Sequence, residues 1–423
     1  MAWASKLAFF NRPVWNGSGR LVQPDALLHE VWAMILDESV DGAEIRISMS
    51  GWDLPASQVA TEVVMTSLRN AVARGCDVKI IAPTLWTNPD PADPENRPMW
   101  FNLVKDSALH QELDGLLGDN IRYWRSNNAI TRNINHTKFI LTPSAQGESI
   151  QADWVIATGS CNLRRRDLDR TNELVLFGGR PGLYMAFESY WEAIWAAAGG
   201  YSPSFYPEIH EEPALNTRIF FLPYSKESPP PLDPGGDADP VLDLLGSIVP
   251  GPEASVRVAM ATWGKSGRGG VILAKLMELR QQGCDVRVIG HHETQVFERE
   301  EWQNCPLDPF GGEDDPKIGK CETSQEVWRT MHGTIPWAKS QTHTKFILVE
   351  GPVKRGGVVA NHRIVLGGTM NFATPIWYED KGMTEIVVEF LDDPYMWDQF
   401  RECWHWLCRQ AWETWGSPDG PLV

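Results

Sequence analysis

Two sets of the same residue types stand in the chain: His136, Lys138 and Asn162, then His343, Lys345 and Asn371. The asparagines follow their histidines by 26 and 28 residues. Each histidine opens the hexapeptide His-Thr-Lys-Phe-Ile-Leu, which occurs letter for letter at 136–141 and 343–348. Read as a strand, the hexapeptide puts His and Lys on one face and Thr and Phe on the other. An imidazole can serve as nucleophile or as acid and base, and a fixed ammonium beside it offsets negative charge. Two such sets meeting in one cleft suit a phosphodiester. One histidine attacks phosphorus and the other protonates the leaving oxygen, while the lysines offset charge on the non-bridging oxygens and the asparagines donate hydrogen bonds to them. This chemistry requires no metal and no other cofactor. A lysine buried in an apolar strand is costly unless paired, and its presence in both halves favours a shared polar cleft over two satisfied core positions.

The elements that must position these residues are themselves duplicated, the signature of a repeat architecture. Ile45–Trp52 matches Val256–Trp263 at an offset of 211, and Arg74–Ile81 matches Gln282–Ile289 at 208. The hexapeptides follow at 207, and Gly159-Ser160-Cys161-Asn162 meets Gly368-Thr369-Met370-Asn371 at 209. Each half alternates strands with helices, an α/β pattern. Strands are expected at 45–50, 78–83, 121–124, 136–141, 154–159 and 173–177, and again at 256–261, 286–290, 343–349, 363–367 and 384–390. A helix from Ser57 closes at Gly75, its counterpart closes at Gly283, and Trp-rich helices end both halves. The stretch 226–240, with five prolines and two glycines, reads as a linker. The expected organisation is therefore a first repeat at 1–225, the linker, and a second repeat at 241–423. Segments 86–100 and 292–340 read as insertions, the second rich in acid.

The paired H-x-K and G-[ST]-x-N elements resemble those of the phospholipase D superfamily, over nearly all of the chain outside the linker and insertions. The resemblance implies two α/β/α sandwich lobes with mixed, largely parallel sheets, pseudo-twofold symmetry and the active site at their interface. It also implies a two-step reaction through a covalent phosphohistidine, with the N-terminal histidine favoured as nucleophile and water or an alcohol as acceptor. His136, Lys138 and Asn162, with Ser160, take the first motif; His343, Lys345 and Asn371, with Thr369, take the second. The family's acidic residue that orients a histidine is matched by Glu173 and Glu385, with Asp169 and Glu379 as weaker alternatives. The aspartate seven residues after each motif histidine is replaced by Pro143 and Glu350.

Substrate class is bounded by charge. Lys and Arg total 38 against 55 Asp and Glu, a net −17 that opposes binding of long polyanions. Four arginines lie within Asn162–Arg170, and Arg122, Arg125 and Arg132 precede them, so the first half can offer a basic wall. Arg165, Arg166, Ser160, Thr369, Trp52 and Trp263 are the candidate substrate contacts. After Asn371 the residues Trp377, Tyr378, Glu379 and Asp380 form an aromatic and acidic wall instead. A phospholipid headgroup or small phosphodiester fits best, with peripheral membrane contact through loop tryptophans. A metal-independent nuclease stacking single strands on Trp is the alternative, and a non-catalytic phosphate-binding module is a third. His291-His292-Glu293 is a weak metal candidate. Seven cysteines without a C-x-x-C pair, no leader pattern and no long apolar run point to the cytoplasm, and a monomer is expected.

Overall fold

The computed structural model describes residues 6–16, 21–53, 59–86, 103–124, 135–143, 154–198, 209–230, 236–264, 267–291, 327, 330–331, 333–377 and 382–415. The calls on Arg125, Arg132, Tyr378, Glu379, Asp380, His292 and Glu293, and most of both insertions, lie outside these residues. Most of the β-rich runs form two large sheets. In the first, β1 (Lys6–Phe10), β2 (Glu44–Met49), β3 (Asp77–Ala82), β4 (Ile121–Tyr123), β5 (Lys138–Pro143), β6 (Trp154–Gly159) and β7 (Glu173–Gly178) lie in the order β1-β7-β6-β5-β2-β3-β4. In the second, β8 (Ile209–Glu212), β9 (Thr217–Leu222), β10 (Ser255–Met260), β11 (Asp285–His291), β12 (Trp337–Ser340), β13 (Lys345–Arg355), β14 (Val358–Gly368) and β15 (Glu385–Leu391) lie in the order β8-β9-β15-β14-β13-β10-β11-β12. Apart from β8 the two orders superpose strand for strand.

The five longest helices of this mixed α/β fold are α1 (Leu27–Asp37), α2 (Val59–Ala73), α3 (Pro181–Ala198), α4 (Gly267–Gln281) and α5 (Pro394–Trp415). Parallel ladders are confined to β2-β3-β4 and β10-β11-β12, where α2 and α4 supply the crossovers; every other ladder in the two sheets is antiparallel. Both crossover helices end as their glycines suggest. Gly75 and Gly283 take positive φ, and the following cysteines bond back to Ala71 and Leu279, so the last turn's carbonyls are satisfied. Cys76 and Cys284 are buried at these turns and pack there.

Two corrections concern boundaries. β8 and β9, which a boundary at 226 assigns to the first half, belong to the second sheet, with β9 in the place that β1 holds in the first. The described parts of the proline-rich stretch, 226–230 and 236–240, therefore follow a strand of the second sheet and do not separate the lobes, since proline and glycine mark where backbone ladders stop rather than where a lobe begins. The end of the 292–340 insertion is β12, an edge strand paired in parallel with β11.

A central core joins the lobes. It takes Phe139 and Phe177 from the first sheet, Phe346 and Phe390 from the second, and Phe187, Trp191, Phe400 and Trp404 from α3 and α5. Phe177 and Phe390 stack with ring centroids 6.0 Å apart. The outer faces of the sheets carry a separate core each. Several of the 20 tryptophans are thereby explained, because Trp32, Trp52, Trp191 and Trp404 are among the largest fully buried side chains. No helix among the described residues is long and apolar enough to cross a membrane.

Candidate active site

The two hexapeptides enter the centres of the two sheets, and each begins with an isolated parallel bridge to the opposite lobe. Asn135 bridges Thr384 just before β15, and Thr342 bridges Thr171 just before β7. The His136 amide donates to the Thr384 carbonyl at 3.1 Å and the His343 amide to the Thr171 carbonyl at 2.7 Å. Both histidines therefore precede their strands, which begin only at Lys138 and Lys345. This departs from the expected strand from 136, because these backbone groups pair across the lobes rather than along the sheet. His and Lys are brought together by other means: each lysine Nζ folds back to donate to its own histidine's carbonyl, at 2.6 Å for Lys138 and 2.7 Å for Lys345.

Each histidine is held at Nδ1 by a side chain of the other lobe, and the two holders differ. Glu385, the first residue of β15, receives the His136 Nδ1–H at 2.8 and 2.9 Å. Asn172, just before β7, receives the His343 Nδ1–H on Oδ1 at 2.8 Å. Asp167 Oδ1 stands 3.3 Å from the same nitrogen but makes no hydrogen bond among the described residues, so Asn172 makes the aligned bond. Glu173, the expected counterpart of Glu385, does not meet His343; it accepts from Ser160 Oγ at 2.7 Å and from the Lys345 amide at 3.3 Å. The register of β7 accounts for this by presenting the residue one earlier to the histidine.

Burial dominates the electrostatics. It lowers Lys138 from its ordinary 10.5 to about 7, with the Lys345 charge adding to the effect, and it lowers Lys345 as well against the pull of Glu173 and Glu385. Glu385 is pushed up to about 8 by burial, opposed by Lys138 and the Thr369 hydroxyl, and Glu173 is also raised. His343 is held well below its ordinary value by burial, then by the cations Lys345, Arg170 and Lys138. Two lysines and two glutamates thus balance inside a buried centre, which offsets part of the cost of burying each.

Other candidates take different places. Ser160 and Thr369 are fully buried and donate to Glu173 and Glu385 in their own lobes, so they brace carboxylates instead of facing a substrate. The preceding glycines are required by crowding: a Cβ on Gly159 would lie 2.1 Å from the Glu173 carbonyl, and one on Gly368 2.2 Å from that of Ile386. Trp52 and Trp263 are core residues, 1% and 4% exposed, and Trp263 Nε1 is satisfied by the Gly269 carbonyl. Arg165 is exposed on the short helix Arg165–Leu168, and Arg166 beside it is half-buried. Among these arginines it is Arg170 and Arg164 whose charges reach His343 and Lys138. Asp169 is half-buried, raised by that burial. Pro143 and Glu350 each lie five residues along the strand from the lysine, roughly 16 Å away at about 3.3 Å per residue.

The asparagines are clamped through their carbonyls, Asn162 by His29 Nε2–H at 2.9 Å and Asn371 by Arg268 at 2.9 Å. Arg268 is itself held by Asp239, which caps the helix Pro240–Ser247. Asn172, Asp167, His29 and Arg268 were not legible as site residues. The only signal was Asn172's place beside Glu173. Among the described residues no group of three or more His, Cys, Asp or Glu could hold a metal ion.

Residues 38–195 match the family described as "Cardiolipin synthase, PLD-like domain". No curated protein matches the chain in sequence. Among solved structures, phosphatidylserine synthase of Haemophilus influenzae Rd KW20 is 11% identical, with 96% of this chain and 86% of that one covered at a TM-score of 0.53. Polyphosphate kinase of Porphyromonas gingivalis is 10% identical at a TM-score of 0.48; 94% of this chain is covered, and it spans only 49% of the kinase. Nuc of Salmonella typhimurium, a phospholipase D family member, is 17% identical and covers 45% of this chain and 95% of its own, at a TM-score of 0.27. Residues 38–195 thus match a phospholipase D-like domain, and the chain as a whole shares the fold of that phosphatidylserine synthase.

Proposed function

We propose that this protein is a phosphodiesterase or phosphatidyltransferase acting on a phospholipid headgroup or a small phosphodiester through a covalent phosphohistidine. The observation that carries the reading is that two His-Lys pairs, one from each lobe, meet at the interface with each imidazole fixed at Nδ1 by the opposite lobe. Fixing Nδ1–H leaves each Nε2 as the reactive nitrogen.

In this reading His136 Nε2 attacks phosphorus, and the P–O bond to the leaving group breaks. The ring gains positive charge as the N–P bond forms, and the Glu385 carboxylate on Nδ1 offsets it. His343, doubly protonated once the bound diester's negative charge offsets the surrounding cations, gives its Nε2 proton to the leaving oxygen. In the second half His343, neutral after that transfer and kept so by its burial and the surrounding cations, takes a proton from water or an alcohol. The oxygen so activated attacks phosphorus and releases His136. Lys138, Lys345, Asn162 and Asn371 bind the non-bridging oxygens throughout.

The test is intact-protein mass spectrometry after rapid quench during turnover, followed by peptide mapping. A phosphoryl adduct on His136 is expected; turnover without an adduct on either histidine would overturn the covalent route. His136→Asn and His343→Asn should each abolish activity, while EDTA leaves the wild type unchanged. A panel of phosphatidylcholine with an alcohol acceptor, small phosphodiesters, single-stranded DNA and RNA decides substrate class, and cleavage of polynucleotide alone would replace this reading with a nuclease.

A further inference from the structure

The two asparagines that match in sequence are not equally prepared. Ser50, the residue after β2, donates its hydroxyl to Asn162 Oδ1 at 2.7 Å, and both residues are 2% exposed. The surrounding backbone is zipped in the same place. The Leu163 amide donates to the Gly51 carbonyl and the Asp53 amide to the Leu163 carbonyl, while Trp52 bridges Leu163. Gly51 leaves room for the contact, since a Cβ there would stand 2.9 Å from Asn162 Oδ1 and 2.5 Å from Arg164 Nε. In the second lobe the sequence Ser50-Gly51 is replaced by Ala261-Thr262. Alanine carries no donor, and Asn371 Oδ1 is buried without a hydrogen-bond partner among the described residues. Among the described residues Asn371 is instead held at its backbone carbonyl, by Arg268 and by the Thr374 amide.

An amide side chain has an acceptor end and a donor end. Where the acceptor end is occupied, the donor end is the part left for a ligand, and a phosphoryl oxygen needs donors. We propose that Ser50 is a positioning residue for phosphate recognition: it ties down Asn162 Oδ1 so that the Asn162 Nδ2 donors face the oxyanion, a device the second lobe lacks. The first lobe then supplies the preorganised amide, and Asn371 must be oriented by the substrate itself. The proposal rests on the reading that the paired His-Lys cleft binds a phosphoryl group.

The experiment is calorimetric titration of the full chain with orthovanadate, a phosphate-shaped oxyanion, on wild type, Ser50→Ala, Ser50→Thr, Asn162→Ala and the double variant Ser50→Ala/Asn162→Ala. Alanine already occupies the equivalent position in the second lobe, and thermal melts check that each variant is folded. Ser50→Ala should bind about tenfold more weakly, which corresponds to about 1.4 kcal/mol. Ser50→Thr, which keeps the hydroxyl, should restore binding to within about threefold. In the Asn162→Ala background the Ser50 substitution should have no further effect, whereas a merely structural role would give the same loss in both backgrounds. Unchanged binding by Ser50→Ala, or equal losses in the two backgrounds, overturns the role of Ser50 alone. Failure of the wild type to bind vanadate overturns the phosphoryl-site reading, and the role of Ser50 with it.

Discussion

At pH 9, above the value of about 8 to which burial raises it, Glu385 is ionised, and replacing it by Gln there removes a charge from the centre of the site while keeping its shape and an acceptor for His136 Nδ1–H. The carboxylate is fully buried and lies 2.8 and 2.9 Å from that nitrogen. Taking about 4 Å between the charge centres and an effective dielectric constant of about 20, the interaction with a cationic ring is worth about 4 kcal/mol. At about 1.4 kcal/mol per decade this is nearly a thousandfold in rate if the ring is cationic only on the way to the phosphoenzyme. Desolvation of the carboxylate, already present in the resting protein, makes a hundredfold loss the lower expectation. The assay is steady-state hydrolysis of a chromogenic diester such as bis(4-nitrophenyl) phosphate, with kcat and KM separated and the His136 adduct followed by rapid quench. The loss should fall on kcat. Glu173→Gln is the internal control, since Glu173 is equally buried yet touches neither imidazole. A Glu385→Gln enzyme within about threefold of wild type, or one no worse than Glu173→Gln, would refute the argument that this carboxylate stabilises a charged His136.

Three further outcomes are expected. Burial raises Glu385 from 4.5 to about 8, so between those values the folded protein holds a proton the unfolded chain has released; stability must fall as pH rises through that window. Denaturant midpoints of wild type should therefore lose ground to Glu385→Gln from pH 4.5 to pH 8, and a gap that widens the other way contradicts the assignment. Asn172→Asp places a carboxylate on His343 Nδ1 and should raise the apparent pKa of that imidazole by about one unit or more, seen as an upward shift of the alkaline limb of kcat/KM; an unmoved limb would exclude His343 as the titrating acid. Ala261→Ser supplies the hydroxyl that Asn371 Oδ1 lacks and should stabilise the fold by about 1 kcal/mol, read from the urea midpoint, whereas a lowered midpoint would mean that the hydroxyl finds no partner.

The sequence made the repeat, most strands and the two crossover helices legible because period and glycine caps are local signals. Gly75 and Gly283 stop their helices as their positions suggest, and the hexapeptides supply the central strand of each sheet. What stayed hidden depends on contacts across the lobes. The spacing between Asn162 and Glu173 is local, but which residue of Asn172-Glu173 meets His343 is set by the Thr171–Thr342 bridge, a pairing 171 residues apart in the chain. His29 carries no motif and reaches the site from α1 by one ring nitrogen. The duplication also misled: Trp52 and Trp263 recur because both lobes need the same core filling, not because both hold substrate. β12 is only four residues at the end of an irregular stretch, too short for a periodic signal.

The two imidazoles lean on unlike neighbours, a glutamate for one and an asparagine for the other, and this has a consequence for descent. In an assembly of two identical subunits any substitution strikes both sides of the dyad at once, so an improvement in the attacking side is imposed on the proton-carrying side too. A single chain that encodes both sides releases this constraint. Ser50 opposite Ala261, and Asn172 opposite Thr384, are differences that only a fused pair can hold. They leave the matching strand order as an inheritance of the backbone, while the side chains of the two lobes have diverged.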